Sequence, residues 1–598
     1  MVAPGSEGSE SSGHLLFQTT EYQERVREMN HNREMSHIRE MSHIREMNHN
    51  REMHRIRKRS NRKRNRYDPW PRGLITVLIT TTLTLTAATV IAQHQEHGTV
   101  DFQVECDESV VVDFNEGLAM LHNMMYEMAR GTFEAIAEAD PGCALAHWGI
   151  ATTLFQPLWA TRPSPEDLEY GWRSASRAEE LAETERERLL AESASAFFRD
   201  PETAEFRTRI DRWAEAIEQA YRELPEDQDI AALYGLSLLT LAQYTEDRDP
   251  LFDEAEDVLR TVFEESPSHP GAIHYSIHAT DAEGRSRHAL DMVSAYGEIA
   301  PDVPHALHMP SHIYVRLGNW DQVIDWNLQS AEAALENPVG DAVSHHFIHA
   351  MDYLVYAYLQ QGQDQKAEEA WDRVQSRDNY QTSFISTFHF AAIPARLAIE
   401  RRDWEAAIEL EPRTPDYLPW DEAQWAEALT WYARGLGSVH TGDLEGARNA
   451  GQQLEQLRER AVERGDDNIV VYIEADRLVL DGRIAHAEGD GERAVELIRE
   501  AADLEGTVEK HPVTPGALQP PREALGDLLM EMNRPVEALE AYQASDEIWP
   551  GRMHTLLGAA LAARLAGEDE IMREFAARLV NQVEQPSTTL ARGQQNSQ

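Results

Sequence analysis

The chain has 598 residues, 55 Lys+Arg against 104 Asp+Glu, a formal charge of −49 and 42% hydrophobic residues. That is enough apolar material for several domains or one long repeat array, in an Ala/Glu/Leu/Arg-rich composition that suits a folded helical protein. The first 92 residues hold 15 basic and 10 acidic side chains, so the remainder carries 40 against 94, a charge of −54, which argues against nucleic acid as a partner.

Only Lys366 and Lys510 follow residue 92, while Arg and acid are abundant. Two readings stay open: a saline environment that screens the self-repulsion of so negative a surface, or codon usage that favours Arg, Ala, Asp and Glu.

In chain order, Arg27–Ile56 is five tandem hexads of the type Arg-Glu-Met-Ser-His-Ile. A six-residue period matches neither a helix nor a heptad, so residues 1–72 read as a disordered, low-complexity basic tail. The basic run Arg55–Arg66 precedes the uncharged stretch Gly73–Ala92, which ends Val-Ile-Ala before Gln93. Positive, then apolar, then small residues is the order of an export signal, and residues 73–92 read as a signal peptide, or as a membrane anchor if uncleaved. Met53 is the more ordinary start for such a signal, which makes residues 1–52 a candidate start-site misassignment. Export places the folded part in the periplasm or outside the cell, where Cys106 and Cys143 are a candidate disulfide. Closing that 37-residue loop contributes roughly 3–4 kcal/mol in the chain-entropy model.

From Asp113 onward the apolar periodicity is helical and the helices come in pairs, with no strand-like alternation of any length. The fold class expected is all-α. Phe114–Ala139 runs into Asp140-Pro-Gly and a second helix opens at Ala144. Leu317-Gly-Asn-Trp, Gln361-Gly-Gln-Asp, Arg402-Asp-Trp-Glu, His440-Thr-Gly-Asp, Glu488-Gly-Asp-Gly and Met532-Asn-Arg-Pro have the composition of short turns between paired helices. Residues 93–245 read as N-terminal repeats, 246–410 as a His-rich central group, 420–584 as C-terminal repeats, and 585–598 as a disordered tail.

The candidate chemistry lies in the central group. His274-Tyr-Ser-Ile-His278-Ala-Thr-Asp281, His305-Ala-Leu-His308-Met-Pro-Ser-His312 and His345-His346-Phe-Ile-His349-Ala-Met-Asp352 bring eight histidines and two aspartates together in fewer than ninety residues. His274 to His308 and His278 to His312 are both 34 positions, as is Pro267 to Pro301, so the first two sets occupy the same places in successive repeats. This spacing resembles tetratricopeptide repeats, stacks of 34-residue helical hairpins whose first helices line a concave groove. The resemblance implies a helical-hairpin solenoid, puts these histidines on groove-facing positions, and implies a protein or peptide partner as the common use of such a groove. Counted back from the turn at Gly362, His349 stands in register with His305, Asp352 with His308 and Tyr356 with His312, with an insertion around Asn337–Val343 between the second and third sets.

Residues at i and i+4 share a helix face, with Cβ atoms about 5–6 Å apart, and neighbouring helices lie roughly 10 Å apart. Imidazoles from two or three helices can therefore converge on one ion. His274, His278, Asp281, His305, His308, His312, His349 and Asp352 are the candidate metal residues, with Asp281 and Asp352 either direct ligands or second-layer groups that orient a histidine. Nitrogen and carboxylate donors suit zinc, copper, iron or nickel. The bland reading is that the same histidines make polar contacts between helices, or bind an acidic peptide as neutral donors.

Pro310 predicts a kink between His308 and His312. His122, His147 and His389, with Trp148, Trp159, Trp320, Trp326 and Trp404, read as core or groove wall. His274-Tyr-Ser-Ile-His278 lacks the Glu of a zinc-peptidase helix, and phosphate loops, nucleophile elbows, heme attachment and dinucleotide fingerprints are all absent from the sequence. His274–Asp281, His305–Trp320 and Pro521–Arg564 resemble strings shared by a group of bacterial exported tetratricopeptide-repeat proteins, a likeness that spans about 100–583 and implies fold and export without an activity. Two functions follow as expectations: a metal-binding, conceivably catalytic groove, or a metal-free scaffold for a partner protein.

Overall fold

A computed structural model of the chain describes residues 97–159, 162–245 and 247–584, all within one compact unit. The readings for 1–72, 73–92 and 585–598 lie outside them. Helices make up most of the described chain, and they pack chiefly against their neighbours in sequence. Among the described residues the only extended pairing is two isolated bridges, Val339 with Ala342 and Val343 with Tyr380, inside the insertion that the sequence marks at 337–343. The fold is all-α, built of helical hairpins, as expected.

Two kinds of helix alternate, and the difference is written in their sequences. Asp249–Glu265 buries Phe252, Ala255, Leu259 and Val262, an i, i+3, i+7, i+10 stripe, and turns its acidic face outward. Each large apolar side chain on such a stripe is worth about 1.5–3 kcal/mol of burial. Pro270–Thr280 and His345–Gln360 instead bury every residue and carry no outward polar face. The stripe-bearing helices are an outer layer, and the fully buried ones lie beneath them.

Local signals place the ends. Ser164 with Asp167 and Thr184 with Glu187 form reciprocal capping boxes, and Gly442, Gly465 and Gly567 take the left-handed conformation that closes a helix. The helices of the His-rich region are α1 (Val111–His122), α2 (Pro270–Thr280), α3 (Pro304–His308), α4 (Pro310–Arg316), α5 (Trp320–Glu336), α6 (His345–Gln360) and α7 (Phe384–Glu400). Pro270 and Pro304 are both first helical residues, 34 positions apart, so the repeat read from the sequence is a repeat of helix starts.

The kink expected at Pro310 is a full break. The proline has no N–H to give, so the chain ends α3 at His308 and restarts at Pro310, with Met309 still helical at φ −52°, ψ −40°. Pro394 sits inside α7 without ending it. Cys106 and Cys143 are disulfide-bonded, with Cα atoms 4.8 Å apart.

Candidate metal centre

All eight histidines of the three His-rich motifs are buried, and His278, at 9% relative exposure, is the most open. The groove expected at these positions is therefore closed. The segment after residue 506 lies over it: Tyr353 donates its hydroxyl to the Pro512 and Thr514 carbonyls, Lys510 reaches Asp281, and Arg396 donates to the Gly516 carbonyl.

Two groups of three imidazoles are brought together, His308/His312/His349 and His274/His278/His305, each with one ligand atom per residue lying within 4.8 Å of the others. In the first group, hydrogen bonds decide which nitrogen faces inward. Asn327 donates its amide N–H to the Val323 carbonyl (2.7 Å), which turns its Oδ1 to accept from His308 Nδ1 (2.6 Å). His312 Nδ1 donates to Asp281 Oδ2 (2.8 Å). His389 Nδ1 donates to Asp352 Oδ2 (3.1 Å), so its Nε2 accepts from His349 Nδ1 (2.7 Å). Each Nδ1 thus carries the proton and each Nε2 is left as a lone pair. His308 Nε2 and His312 Nε2 stand 3.0 Å apart, and His349 Nε2 has no partner. The His308 and His349 ring centroids are 4.1 Å apart.

Buried lone pairs turned on one another repel unless something electrophilic lies between them. Ligands of a tetrahedral ion at about 2.0–2.1 Å stand roughly 3.3 Å from each other, close to the separation seen here. Partners that hold the far nitrogen of each ligand are what such centres use to fix tautomer and ring angle.

The second group shares this pattern at one ring. His274 Nδ1 donates to the His122 carbonyl (2.7 Å), leaving Nε2 without a partner. His278 Nε2 and both nitrogens of His305 are also buried and unpartnered. Burial, reinforced by neighbouring imidazoles, pushes His278, His305, His308 and His349 well below the ordinary histidine range and His274 down to about 3, so these rings are neutral and free to ligate.

His122, Asp229 and His269 make an instructive contrast. His122 and His269 both donate Nε2–H to Asp229 Oδ1 (3.0 and 3.2 Å), His122 Nδ1 meets the Tyr275 hydroxyl (3.2 Å), and His269 Nδ1 accepts the Ala272 N–H (3.2 Å). Every ring nitrogen there is used, so this cluster is a polar cross-link between helices, and His122, read from the sequence as core or groove wall, is fully buried. Cys106 and Cys143, next to Asp140, are consumed by their disulfide.

The aspartates stand one layer back from both faces. Asp281 takes His312, Arg316 Nε (2.9 Å) and Lys510 Nζ (2.8 Å); Asp352 takes His389 and Arg396 Nε (3.0 Å). Burial alone would raise both carboxyls, but Lys510 and Arg316 hold Asp281 down, and Arg396 holds Asp352 down. Of the two roles open to them in the sequence, these contacts are those of orienting groups. The left-handed turns at Gly318 and Gly362 keep the register counted from Gly362, yet the ring of His349 lies closer to His308, at 4.1 Å, than to His305, at 6.4 Å.

His389 and Asn327 are additions to the set. His389 was readable only as a histidine near a helix-interrupting proline, and Asn327 carries no motif at all. Trp159, read as core, stands 5.4 Å from His305 and 6.0 Å from His349, ring to ring.

No protein-family model matches the chain, and no curated protein matches it either. Solved structures do: the APC/C hetero-tetramer Cut9–Hcn1 at 13% identity, covering 78% of this chain and 93% of that one with a TM-score of 0.31, and an IFIT1 monomeric mutant with m7Gppp-AAAA at 13%, 73%, 90% and 0.34. At such scores these are likenesses of helical-repeat architecture alone.

Proposed function

We propose that the chain is an exported helical-repeat protein that binds a transition ion through His308, His312 and His349. The observation that carries this reading is the convergence of three Nε2 lone pairs, each ring being held from behind by a different partner, Asn327, Asp281 or His389. An all-imidazole face with no thiolate or carboxylate suits copper or zinc best among the ions the sequence leaves open. Three protein ligands leave a fourth position for water or a substrate, the arrangement of catalytic rather than closed structural centres. Export is supported by the Cys106–Cys143 disulfide, a bond that persists in oxidising compartments.

The test is elemental mass spectrometry on the full chain, purified without a His tag after growth with added zinc, copper and iron. Bound metal that is lost in His312→Ala while helical circular dichroism is retained supports the reading; a metal-free wild type overturns it.

One observation favours a partner protein as well. Leu557, Leu561 and Leu565 form an exposed stripe along Met553–Ala566, at 42%, 45% and 62% exposure. A protein docked on this surface is compatible with a buried metal centre elsewhere, and Leu561→Glu is expected to abolish co-purification of such a partner without changing metal content.

A further inference from the structure

We propose that His274, His278 and His305 hold a second ion, that the two ions form one dinuclear centre, and that this centre receives a small uncharged ligand from the cavity beside His278. The inference rests on the metal reading of the first group and extends it.

The two groups are not separate sites along a groove. His278 and His312 have ring centroids 5.9 Å apart, and His305 and His308 6.0 Å apart, while rings within the first group are separated by 4.1 to 6.4 Å. Ions held by the two sets lie within reach of one bridging ligand. The chemistry of the donors matches on both sides: three neutral imidazoles, buried, with unpartnered nitrogens. The second set also has its own support, since the proton of His274 is committed to the His122 carbonyl of α1. A metal-free packing role accounts poorly for His305, which buries two polar nitrogens with no hydrogen bond to either.

The cavity gives the ligand class. It has a volume of about 380 Å³, reaches His278 and Asp281, and is walled by Trp159, Leu239, Phe252, Ile469 and Tyr472. Among the described residues its cations are all paired, Arg162 with Asp466, Arg248 with Glu509 and Lys510 with Asp281, and Asp467 adds one further carboxylate. No cation at this wall is left over for an anionic ligand, and the apolar faces favour an uncharged molecule of one or two rings.

The experiment is reconstitution of the full chain with copper(II), followed by metal analysis, electron paramagnetic resonance and titration with azide as a probe of open coordination positions. Expected are two coppers per chain with a spin-coupled signal, and an azide charge-transfer band that 2-naphthol competes away. His274→Ala with His278→Ala is expected to leave one copper per chain and restore the uncoupled signal. Leu239→Trp, which fills the cavity, is expected to weaken the azide band at least tenfold with both coppers retained. Two coppers with full, uncoupled spin overturn the dinuclear centre, and one copper in the wild type overturns the second ion while leaving the first group's reading intact. A coupled pair whose azide band ignores both Leu239→Trp and 2-naphthol overturns the cavity as the ligand's route. A chain that holds no metal at all, copper or other, overturns the underlying reading itself.

Discussion

His308 and His312 point their Nε2 atoms at each other across 3.0 Å, with both ring protons committed elsewhere, to Asn327 and to Asp281. Four residues apart, they would share one face of a continuous helix, but Pro310 divides that helix, and the two rings come from consecutive pieces of it. The arrangement makes the outer partners as consequential as the ligands.

Asn327→Ala removes the acceptor that keeps His308 in the Nδ1–H form. Metal affinity is expected to fall by about 10–100-fold, measured by competition with a chromophoric chelator. Helical content should stay unchanged, because Asn327 supports a ring and not a helix end.

Arg552 fastens the C-terminal repeats to the central ones. It is 1% exposed, ion-paired with Glu523 (2.9 Å) and Glu400 (2.8 Å), and donates to the Tyr356 hydroxyl (3.1 Å). Arg552→Met strands two buried carboxylates and is expected to cost about 3–5 kcal/mol in urea unfolding. Adding Glu400→Gln and Glu523→Gln should recover part of that loss.

Changing Cys106 and Cys143 together to Ser opens the 37-residue loop between them. The expected loss is about 4 kcal/mol, seen as a lower unfolding midpoint under non-reducing conditions and as no difference from wild type once both are treated with reductant.

His440 stacks on Trp404 at 4.0 Å, and burial, with Arg483 and Arg402 nearby, pushes its imidazole down to about 3. The unfolded ring, near 6.5, takes up a proton that the folded ring refuses. Its contribution is therefore intact above pH 6.5 and drains away as pH falls from there toward 3. His440→Phe keeps the stack and removes the titration, so the variant's stability should fall less steeply than wild type between about pH 7 and pH 5, read from denaturant midpoints.

Much of the site was readable because repetition is a strong signal. The 34-residue offset placed His274, His278, His308 and His312 on equivalent turns, and the insertion before His345 was visible as a break in that period. Asn327 escaped because it belongs to an outer helix and acts through one amide oxygen. The Asp–His–Arg recurrence, Asp281 with His312 and Arg316 and then Asp352 with His389 and Arg396, is one of contacts, at separations of 31 and 35 positions against 37 and 44, so no fixed spacing pointed to His389. Burial was the larger miss. Groove positions in an isolated repeat face solvent, and nothing in the repeat period tells that a segment some 160 to 230 residues downstream folds back across them.

That late segment gives the centre a history. A chain made from its N-terminus presents His308, His312 and His349 well before Lys510, Pro512 and Thr514 arrive to cover them. On the metal reading proposed above, an ion taken up in that interval would be sealed in when the last third docks. Its later exchange would then be paced by how often residues 507–520 lift, and a purified protein would carry the metal that was at hand when it folded.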